Sequence, residues 1–370
     1  MLIGRVLKRL LKTHYPRFVF GLPLRMGAVP VFVYHEVEAE AFATDLEFLR
    51  HNGYRTISTE EYVRCAAGRA SAGKAVLLTF DDARRNFYEV VLPILREFSA
   101  HATLFVPTFW VDGPRNEANS RPVGTVSLFM TWSQIHECLD SSLVDVHSHG
   151  HRHALVYTSE RLIGFVTPAL LASHPIYDWP MRRVCDGNEL GWPPLGTPIY
   201  ASEPLLSATR RLLEDEAASR ACQELVWDNG GAEFFKRSGW RARLNRVYQA
   251  VPHKMERTEN TRFKELVASE FALSQELFLA ELGVKSRFFA FPWVLGSPLA
   301  LDLAAAHGFE AVFGVGIDFG RISRIKGPLP AFIRWKNDWL RFLPGIGRSR
   351  IRDVIPEKLK GFLSSQHLAH

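Results

Sequence analysis

The chain has 370 residues, of which 47% are apolar and 23% are charged. This composition is typical of a globular protein, and it excludes a disordered chain, a collagen-like fibre and a coiled coil. No apolar run approaches the roughly 18 residues of a membrane span. The four cysteines form no Cys-x-x-Cys pair, so we expect neither a zinc finger nor a disulfide scaffold, and the expected compartment is the reducing cytoplasm.

The excess positive charge is concentrated at the start of the chain. The net charge is +6, and the basic residues that precede the first acidic residue, Glu36, account for all of it. These residues are Arg5, Lys8, Arg9, Lys12, Arg17 and Arg25. The rest of the chain is balanced, which argues against a nucleic-acid partner.

Residues 1–27 form a basic N-terminal arm with an amphipathic pattern. Ile3, Val6, Leu7, Leu10 and Leu11 recur at helical spacing between the basic residues. Such a helix either lies on an anionic membrane surface, through residues 1–25, or packs on the body of the protein. Because basic residues interrupt the apolar ones, a signal peptide is not expected.

Short and nearly continuous apolar runs follow the arm, and they predict strands that are buried on both faces of a parallel sheet. They are Ala28–Tyr34, Ala75–Phe80, Ala102–Trp110, Leu143–Val146, Arg287–Phe291 and Ala311–Val315. Helical patterns lie between them: Asp45–His51, a helix opening at Ser58, Asn86–Phe98, Trp132–Leu139, Phe263–Leu282 and Leu299–His307. Alternating strands and helices predict an α/β fold with a parallel sheet or barrel.

The segment from about 157 to 262 breaks this alternation and indicates a long insertion. It is rich in proline and contains Trp179, Trp192, Trp227 and Trp240. These tryptophans either stack on sugar rings or fill a small core of the insertion itself. The predicted organisation is an arm (1–27), a barrel (28–333) that carries the insertion, and a basic C-terminal segment (334–370).

Unusual polar residues follow several of the predicted strands. Tyr34-His35, Asp81-Asp82, the segment His147–His153 and Pro292-Trp293 each end a strand. Because the carboxyl ends of parallel strands meet at one edge, these residues should converge there. Taken alone, the Asp pair could be a turn or a helix cap, and the histidines a solvated loop.

The histidines have the spacing of a metal site. His147 and His151 form one pair four residues apart, and His149 and His153 form another. Two imidazoles and one carboxylate can hold a cation and leave coordination positions open for water and substrate. Adjacent carboxylates can divide the work of metal binding and proton transfer, since successive side chains of an extended strand point in opposite directions.

These segments resemble the motifs of the polysaccharide deacetylases, carbohydrate esterase family 4. Thr79–Asp82 resembles the T-F-D-D motif, and Ser148–His153 resembles the S-H-x-x-x-H metal motif. Phe289–Trp293 resembles the third motif, and Tyr34-His35 resembles the Y-H motif of a subgroup with a permuted strand order. The matching segments run from about Val29 to Val156 and from about Phe288 to Arg334.

The resemblance implies a distorted (β/α)7 barrel with a long insertion after the His-rich motif. It implies that Asp82, His149 and His153 bind one divalent metal, with zinc favoured over cobalt, nickel, iron or manganese. His147 and His151 are the fallback pair.

The resemblance also implies that Asp81 is the general base and His35 the general acid. A backbone N–H at Pro292-Trp293 would stabilise the oxyanion. Two departures stand out: Ala83 replaces a usual glycine, and the arginine expected in the common third motif is absent.

The activity implied by the resemblance is hydrolysis of an N-acetyl group on an amino sugar. The sugar would belong to a polysaccharide, an oligosaccharide or a lipid-linked precursor, reached at the inner membrane face. Two alternatives stay open. One is a deformylase or another amide hydrolase with a non-polymeric substrate, and the other is a degenerate carbohydrate-binding homologue without activity.

Overall fold

The computed structural model describes residues 16–24, 27–71, 73–113, 128–184, 187–314, 317–318, 321–322 and 327–350. They fall into two compact units. The first unit takes the described residues up to 113, together with 128–151 and 271–350, and the second unit takes 152–270. The predicted amphipathic helix at the start of the chain lies outside the described residues.

The strands, in chain order, lie mostly where the apolar runs predict them. They are β1 (Val31–Tyr34), β2 (Arg55–Thr56), β3 (Ala75–Phe80), β4 (Ala102–Val106), β5 (Val144–Ser148), β6 (Leu155–Phe165), β7 (Arg182–Val184), β8 (Gly187–Glu189), β9 (Pro198–Pro204), β10 (Leu212–Leu213), β11 (Glu256–Arg257), β12 (Phe288–Ala290), β13 (Ala311–Phe313), β14 (Ile317–Asp318), β15 (Arg321–Ile322), β16 (Ala331–Phe332) and β17 (Trp335–Lys336).

The α-helices are α1 (Ala39–His51), α2 (Thr59–Ala66), α3 (Leu92–Phe98), α4 (Trp132–Asp140), α5 (Pro168–Ser173), α6 (Glu216–Asp228), α7 (Trp240–Ala250), α8 (Asn260–Leu282) and α9 (Pro298–Ala306). A π-helical turn (Phe87–Val91) precedes α3, and 3-10 turns include Pro292–Val294 and Asn337–Phe342. Helix α4 begins with a full capping box between Thr131 and Gln134, the pattern that marks such a start. No helix among the described residues is both long and apolar enough to cross a membrane.

The first unit is built on a parallel sheet in the order β16-β13-β12-β5-β4-β3-β1-β17, with β2 paired to β3. The two edge strands, β16 and β17, are separated in sequence by only Ile333 and Arg334. Residues 331–336, the seam segment, therefore pair with β13 on one side and with β1 on the other.

The seam segment closes the curled sheet. If this segment is counted as one strand, the barrel has seven strands: the seam segment, β1, β3, β4, β5, β12 and β13. This is the predicted distorted (β/α)7 barrel. The predicted barrel boundary after residue 333 falls inside this segment. Beyond it, Leu340, Phe342 and Leu343 are buried in the core of the first unit.

Alternate residues of the strands are buried on opposite faces. Leu78, Phe80 and Leu104 face the layer of helices, whereas Leu77 and Phe105 belong to an inner cluster. Phe105 of β4 lies 5.5 Å, between ring centroids, from Phe313 of β13. Those strands are not neighbours in the sheet, so this contact crosses the interior of the barrel. Burial on both faces explains why the runs are continuously apolar.

The second unit is mainly antiparallel around the long pair β6 and β9. It has a small core of its own, and Trp240 packs against that core. Trp179 is buried, whereas Trp192 is 41% and Trp227 is 83% exposed. The four tryptophans of the insertion therefore do not share one environment.

The two ends of the second unit are bonded to each other. The backbone N–H of Arg152 donates to Glu270 Oε2 at 2.7 Å, and Arg152 Nη1 donates to Glu270 Oε1 at 2.6 Å. Arg152 Nη1 also donates to Ser269 Oγ at 2.9 Å. A buried carboxylate thus fixes the point where this unit leaves and rejoins the chain.

Candidate active site

The predicted polar residues gather at the carboxyl edge of the sheet, because its strands are parallel. Asp81 follows β3, His35 follows β1 and His149 follows β5. Asp81 continues the alternation of Leu77 and Thr79, so its side chain belongs to the inner face. His35 is exposed, and it is near enough to Asp81 for its charge to lower the pKa of that carboxyl.

Asp82, His149 and His153 form a buried cluster that could hold a metal ion. Their ligand atoms all lie within 4.8 Å of one another. His149 Nδ1 lies 2.8 Å from the carbonyl oxygen of Ala290. Because a carbonyl only accepts hydrogen bonds, Nδ1 carries the proton and Nε2 is left as the ligand. Two imidazoles and one carboxylate suit zinc and similar cations and leave a coordination position open.

The fallback pair of histidines does not join this cluster. His147 lies one layer deeper in the barrel, with its ring 4.8 Å from that of Phe288. Burial, together with the nearby charge of Arg287, lowers the pKa of His147 to about 3. His151 Nδ1 is instead 2.9 Å from Thr108 Oγ1.

The loop that carries the histidines turns sharply after β5. Ser148 Oγ accepts a hydrogen bond from the backbone N–H of Gly150 at 3.1 Å. Gly150 has φ 84°, a conformation that glycine adopts without a steric penalty. Because of this turn, the side chains of His149 and His151 point in different directions.

The backbone is strained at several site residues. Asp82 (φ 71°), Ala83 (φ 46°), His153 (φ 50°) and Trp293 (φ 52°) all adopt left-handed conformations. Each costs about 1–2 kcal/mol for a residue other than glycine, and such strain is concentrated at functional sites. Ala83 therefore keeps a backbone shape that glycine would adopt freely.

Asp81 is held by an arginine that the sequence analysis missed. Arg334 Nη1 donates to Asp81 Oδ1 at 2.5 Å, and Nη2 donates to Oδ2 at 2.8 Å. Both side chains are buried, with Asp81 3% and Arg334 2% exposed. The guanidinium that pairs with Asp81 thus comes from the seam segment and not from the third motif. The only sequence signal is one cation inside the apolar run Ala331–Trp335.

This ion pair determines the charge of Asp81. Burial by itself would raise the pKa of Asp81, but the Arg334 guanidinium, with help from His149 and His35, lowers it to about 2. Asp81 is therefore ionised at neutral pH. Its Oδ2 also lies 3.6 Å from His149 Nε2, which is equally 3.6 Å from Asp82 Oδ1, so this carboxylate borders the candidate metal position.

The predicted oxyanion segment forms a 3-10 turn over Pro292–Val294. Pro292 is buried, and the Trp293 side chain is half-buried. The backbone N–H groups of Val294 and Leu295 donate to Phe291 and Pro292 within the turn. The role of the Trp293 N–H as an oxyanion donor stays a prediction.

Comparison with known proteins finds a family model that matches part of this region. Residues 68–163 match the family model for polysaccharide deacetylase. A poly-β-1,6-N-acetyl-D-glucosamine N-deacetylase of Escherichia coli (strain K12) is 36% identical over 117 residues, which is 30% of this chain and 17% of that protein. The chain thus spans only a small part of this relative.

A solved structure supports the fold assignment. The de-N-acetylase from Aggregatibacter actinomycetemcomitans superposes with a TM-score of 0.51 at 19% identity. The superposition covers 83% of this chain and 93% of that one. At this level of identity the likeness shows a shared fold.

We expect metal retention to depend on His149 and not on His151. His149→Ala removes a buried ligand whose other nitrogen is fixed by Ala290, so the protein, after chelation and reloading with zinc, should lose its bound metal. His151→Ala should retain about one ion per chain, because His151 contacts Thr108 instead. Metal content measured by atomic emission would test this, and metal lost only in the His151 variant would show that the assigned histidine pair is wrong.

We also expect Arg334→Gln to destabilise the metal-free protein strongly. Removing one partner of a buried ion pair leaves an unpaired charge and costs about 3–5 kcal/mol of unfolding free energy at pH 7. In the variant, burial raises the pKa of Asp81 above its unfolded value of about 3.9. The folded variant then binds a proton more tightly than its unfolded chain, so the deficit should shrink as the pH falls from 7 towards 4.

Urea unfolding at several pH values would measure this effect. Arg287→Gln is the matched control, since Arg287 makes the same two-bond contact with Glu310 at 2.7 and 2.9 Å but is half-exposed. Its loss should cost less than about 1 kcal/mol. Equal losses in the two variants would mean that the Asp81–Arg334 pair contributes no more than a surface pair.

Proposed function

We propose that this chain, whose residues 68–163 match the polysaccharide deacetylase model, is a metal-dependent hydrolase that removes N-acetyl groups from N-acetylglucosamine units of a glycan. The observation that carries the proposal is the buried Asp81–Arg334 pair beside the Asp82-His149-His153 cluster. The name of the Escherichia coli relative supplies the sugar. A degenerate homologue is less favoured, because Asp81, Asp82, His149 and His153 are all present and lie buried together.

The residues divide the chemistry of amide hydrolysis between them. Asp82, His149 and His153 would hold a divalent cation, which when bound would act as a Lewis acid that lowers the pKa of water and polarises the acyl oxygen. Arg334 fixes both oxygens of Asp81 and keeps the carboxylate ionised, so Asp81 orients the attacking water and accepts its proton. With a pKa of about 2, Asp81 is a weak base, and it acts only where the acidity of water is raised nearby.

The second half of the reaction needs a proton donor. An amine leaves poorly unless it is protonated, and His35, at the end of the neighbouring strand β1, donates that proton. Histidine titrates in the range that this step requires. The backbone N–H of Trp293 donates to the acyl oxygen as negative charge develops on it.

Zinc is the proposed metal, because two imidazoles and one carboxylate form a ligand set that zinc commonly takes. The proposed substrate is a glycan that is lipid-linked or near a membrane surface. What supports this is the arm of residues 1–27, where six basic residues precede the first acidic one. The proposed location is the cytoplasmic face of the membrane.

Acetate release from N-acetylglucosamine oligomers tests the activity. The zinc-loaded protein should release acetate, and Asp81→Asn should lower kcat by about 10²–10⁴, because the amide cannot accept the proton. The variant should keep its metal, since Asp81 is not one of the clustered ligands. Formate release from formylated sugars without acetate release would favour the deformylase instead.

Co-sedimentation with anionic vesicles tests the membrane proposal. The full chain should bind phosphatidylserine vesicles at low salt and release them at high salt, because the attraction is electrostatic. A variant with Arg5, Lys8, Arg9 and Lys12 changed to Gln should bind weakly. Equal binding by both proteins would assign the arm another role.

A further inference from the structure

The loop that carries His35 is attached at both ends to the segment that carries Asp81. Before His35, the carbonyl oxygen of Tyr34 accepts a hydrogen bond from the backbone N–H of Asp81 at 3.0 Å. After it, the backbone N–H of Val37 donates to Asn86 Oδ1 at 2.9 Å, and Asn86 Nδ2 donates to the Val37 carbonyl oxygen at 3.1 Å. The Asn86 side-chain amide thus bonds to both the N–H and the C=O of Val37, as the backbone of a neighbouring strand would.

A second contact joins the same two segments. Arg84 Nε donates to Glu36 Oε1 at 3.1 Å, and the Arg84 guanidinium lies 5.6 Å from the Phe129 ring centroid. Arg84 is buried but Glu36 is exposed. An ion pair with an exposed partner contributes little by itself, so the two amide hydrogen bonds of Asn86 are the stronger constraint.

Residues 81–86 therefore position both Asp81, the proposed proton acceptor, and His35, the proposed proton donor. Asp81 lies at one end of this short segment, and Asn86, which holds the chain just after His35, lies at the other. A shift of the segment would move Asp81 and His35 together and preserve their separation. Misplacement by about 1 Å can cost about 10²-fold in rate, so such a shared support matters for catalysis.

We infer that Asn86 is a positioning residue that holds His35 in place for proton donation to the leaving amine. The inference rests on the proposed function, in which His35 is that donor. Asn86 acts only through the backbone of Val37 and touches no reacting group.

The sequence offers a matched control at Asn52. Its side chain makes the same pair of bonds with Ile346: the Ile346 N–H donates to Asn52 Oδ1 at 2.6 Å, and Asn52 Nδ2 donates to the Ile346 carbonyl oxygen at 3.1 Å. Asn52 follows α1 and leads to β2, at the amino end of the strands and therefore away from the site. Asn52→Ala removes this pair of bonds, and with it a third bond from Asn52 Nδ2 to the Phe48 carbonyl oxygen at 2.9 Å, without touching the loop of His35.

The experiment compares zinc-loaded wild type, Asn86→Ala, Asn52→Ala and His35→Ala on two substrates. One is an N-acetylglucosamine oligomer, whose amine must be protonated to leave, and the other is an aryl acetate, whose phenolate leaves without a proton. Asn86→Ala should lower kcat on the amide by about 10–100-fold with little change in KM, and should lower the amide-to-ester rate ratio in the same direction as His35→Ala. Asn52→Ala should leave both rates unchanged, although it should lower the melting temperature at least as much as Asn86→Ala does, because it removes one more hydrogen bond.

The outcomes separate this inference from the proposed function. If wild type releases acetate and His35→Ala is defective, but Asn86→Ala matches Asn52→Ala in kcat, the positioning role is overturned while the proposed function stands. If Asn86→Ala slows amide and ester equally, its role is structural and the inference is again overturned. If wild type releases no acetate from any oligomer, the proposed function fails, and the positioning role fails with it.

Discussion

The structure depends on one buried ion pair, between Asp81 and Arg334. Two opposite charges taken out of water must remain together, because either one alone would be very costly to bury. Arg334 belongs to the two-residue link between β16 and β17, so the pair joins the point of barrel closure to the end of β3. Strand β1, with His35 at its end, is enclosed between these two elements in the sheet. One interaction therefore ties the closing segment of the barrel to Asp81 and keeps that carboxylate ionised.

The rest of the site follows from the alternation of side chains along parallel strands. Asp81 and His149 continue the inner-facing positions of β3 and β5 and reach the same opening. Asp82 and His153 do not follow this alternation. Their backbone adopts left-handed conformations, which are unfavourable for residues other than glycine. Two of the candidate metal ligands, Asp82 and His153, therefore lie on strained loop backbone, whereas His149 and Asp81 continue the regular sheet.

Local pattern was enough to predict most of the barrel. Ala75–Phe80 was predicted to the residue, because a strand buried on both faces is apolar throughout. Ala102–Trp110 was predicted too long, because buried apolar residues continue into the loop after Val106. The cluster of Asp82, His149 and His153 was predicted because these residues lie in two short motifs that resemble those of a known family, although the two motifs are far apart in the sequence.

Arg334 could not be predicted in its role, because its partner lies more than 250 positions earlier and only the closure of the sheet brings them together. The strand at Trp335-Lys336 was not predicted either, because two residues are too short to give a periodic signal. The contact of Asn86 with Val37 could not be predicted either, because nothing in the sequence distinguishes an asparagine that bonds to a distant backbone from any other loop asparagine. Contacts between distant segments thus account for most of what the sequence did not disclose.

The bond between Arg152 and Glu270 has a consequence for how this protein could diversify. A segment of more than one hundred residues departs from the chain and returns to it at nearly the same place, with its two ends joined by a buried carboxylate. Such a segment can lengthen, shorten or be exchanged without stretching the host chain, because the distance its ends must span does not change. Beyond His153, which is itself a candidate metal ligand near the start of this unit, the inserted unit can therefore change in length and sequence while the residues at the carboxyl ends of the strands stay the same.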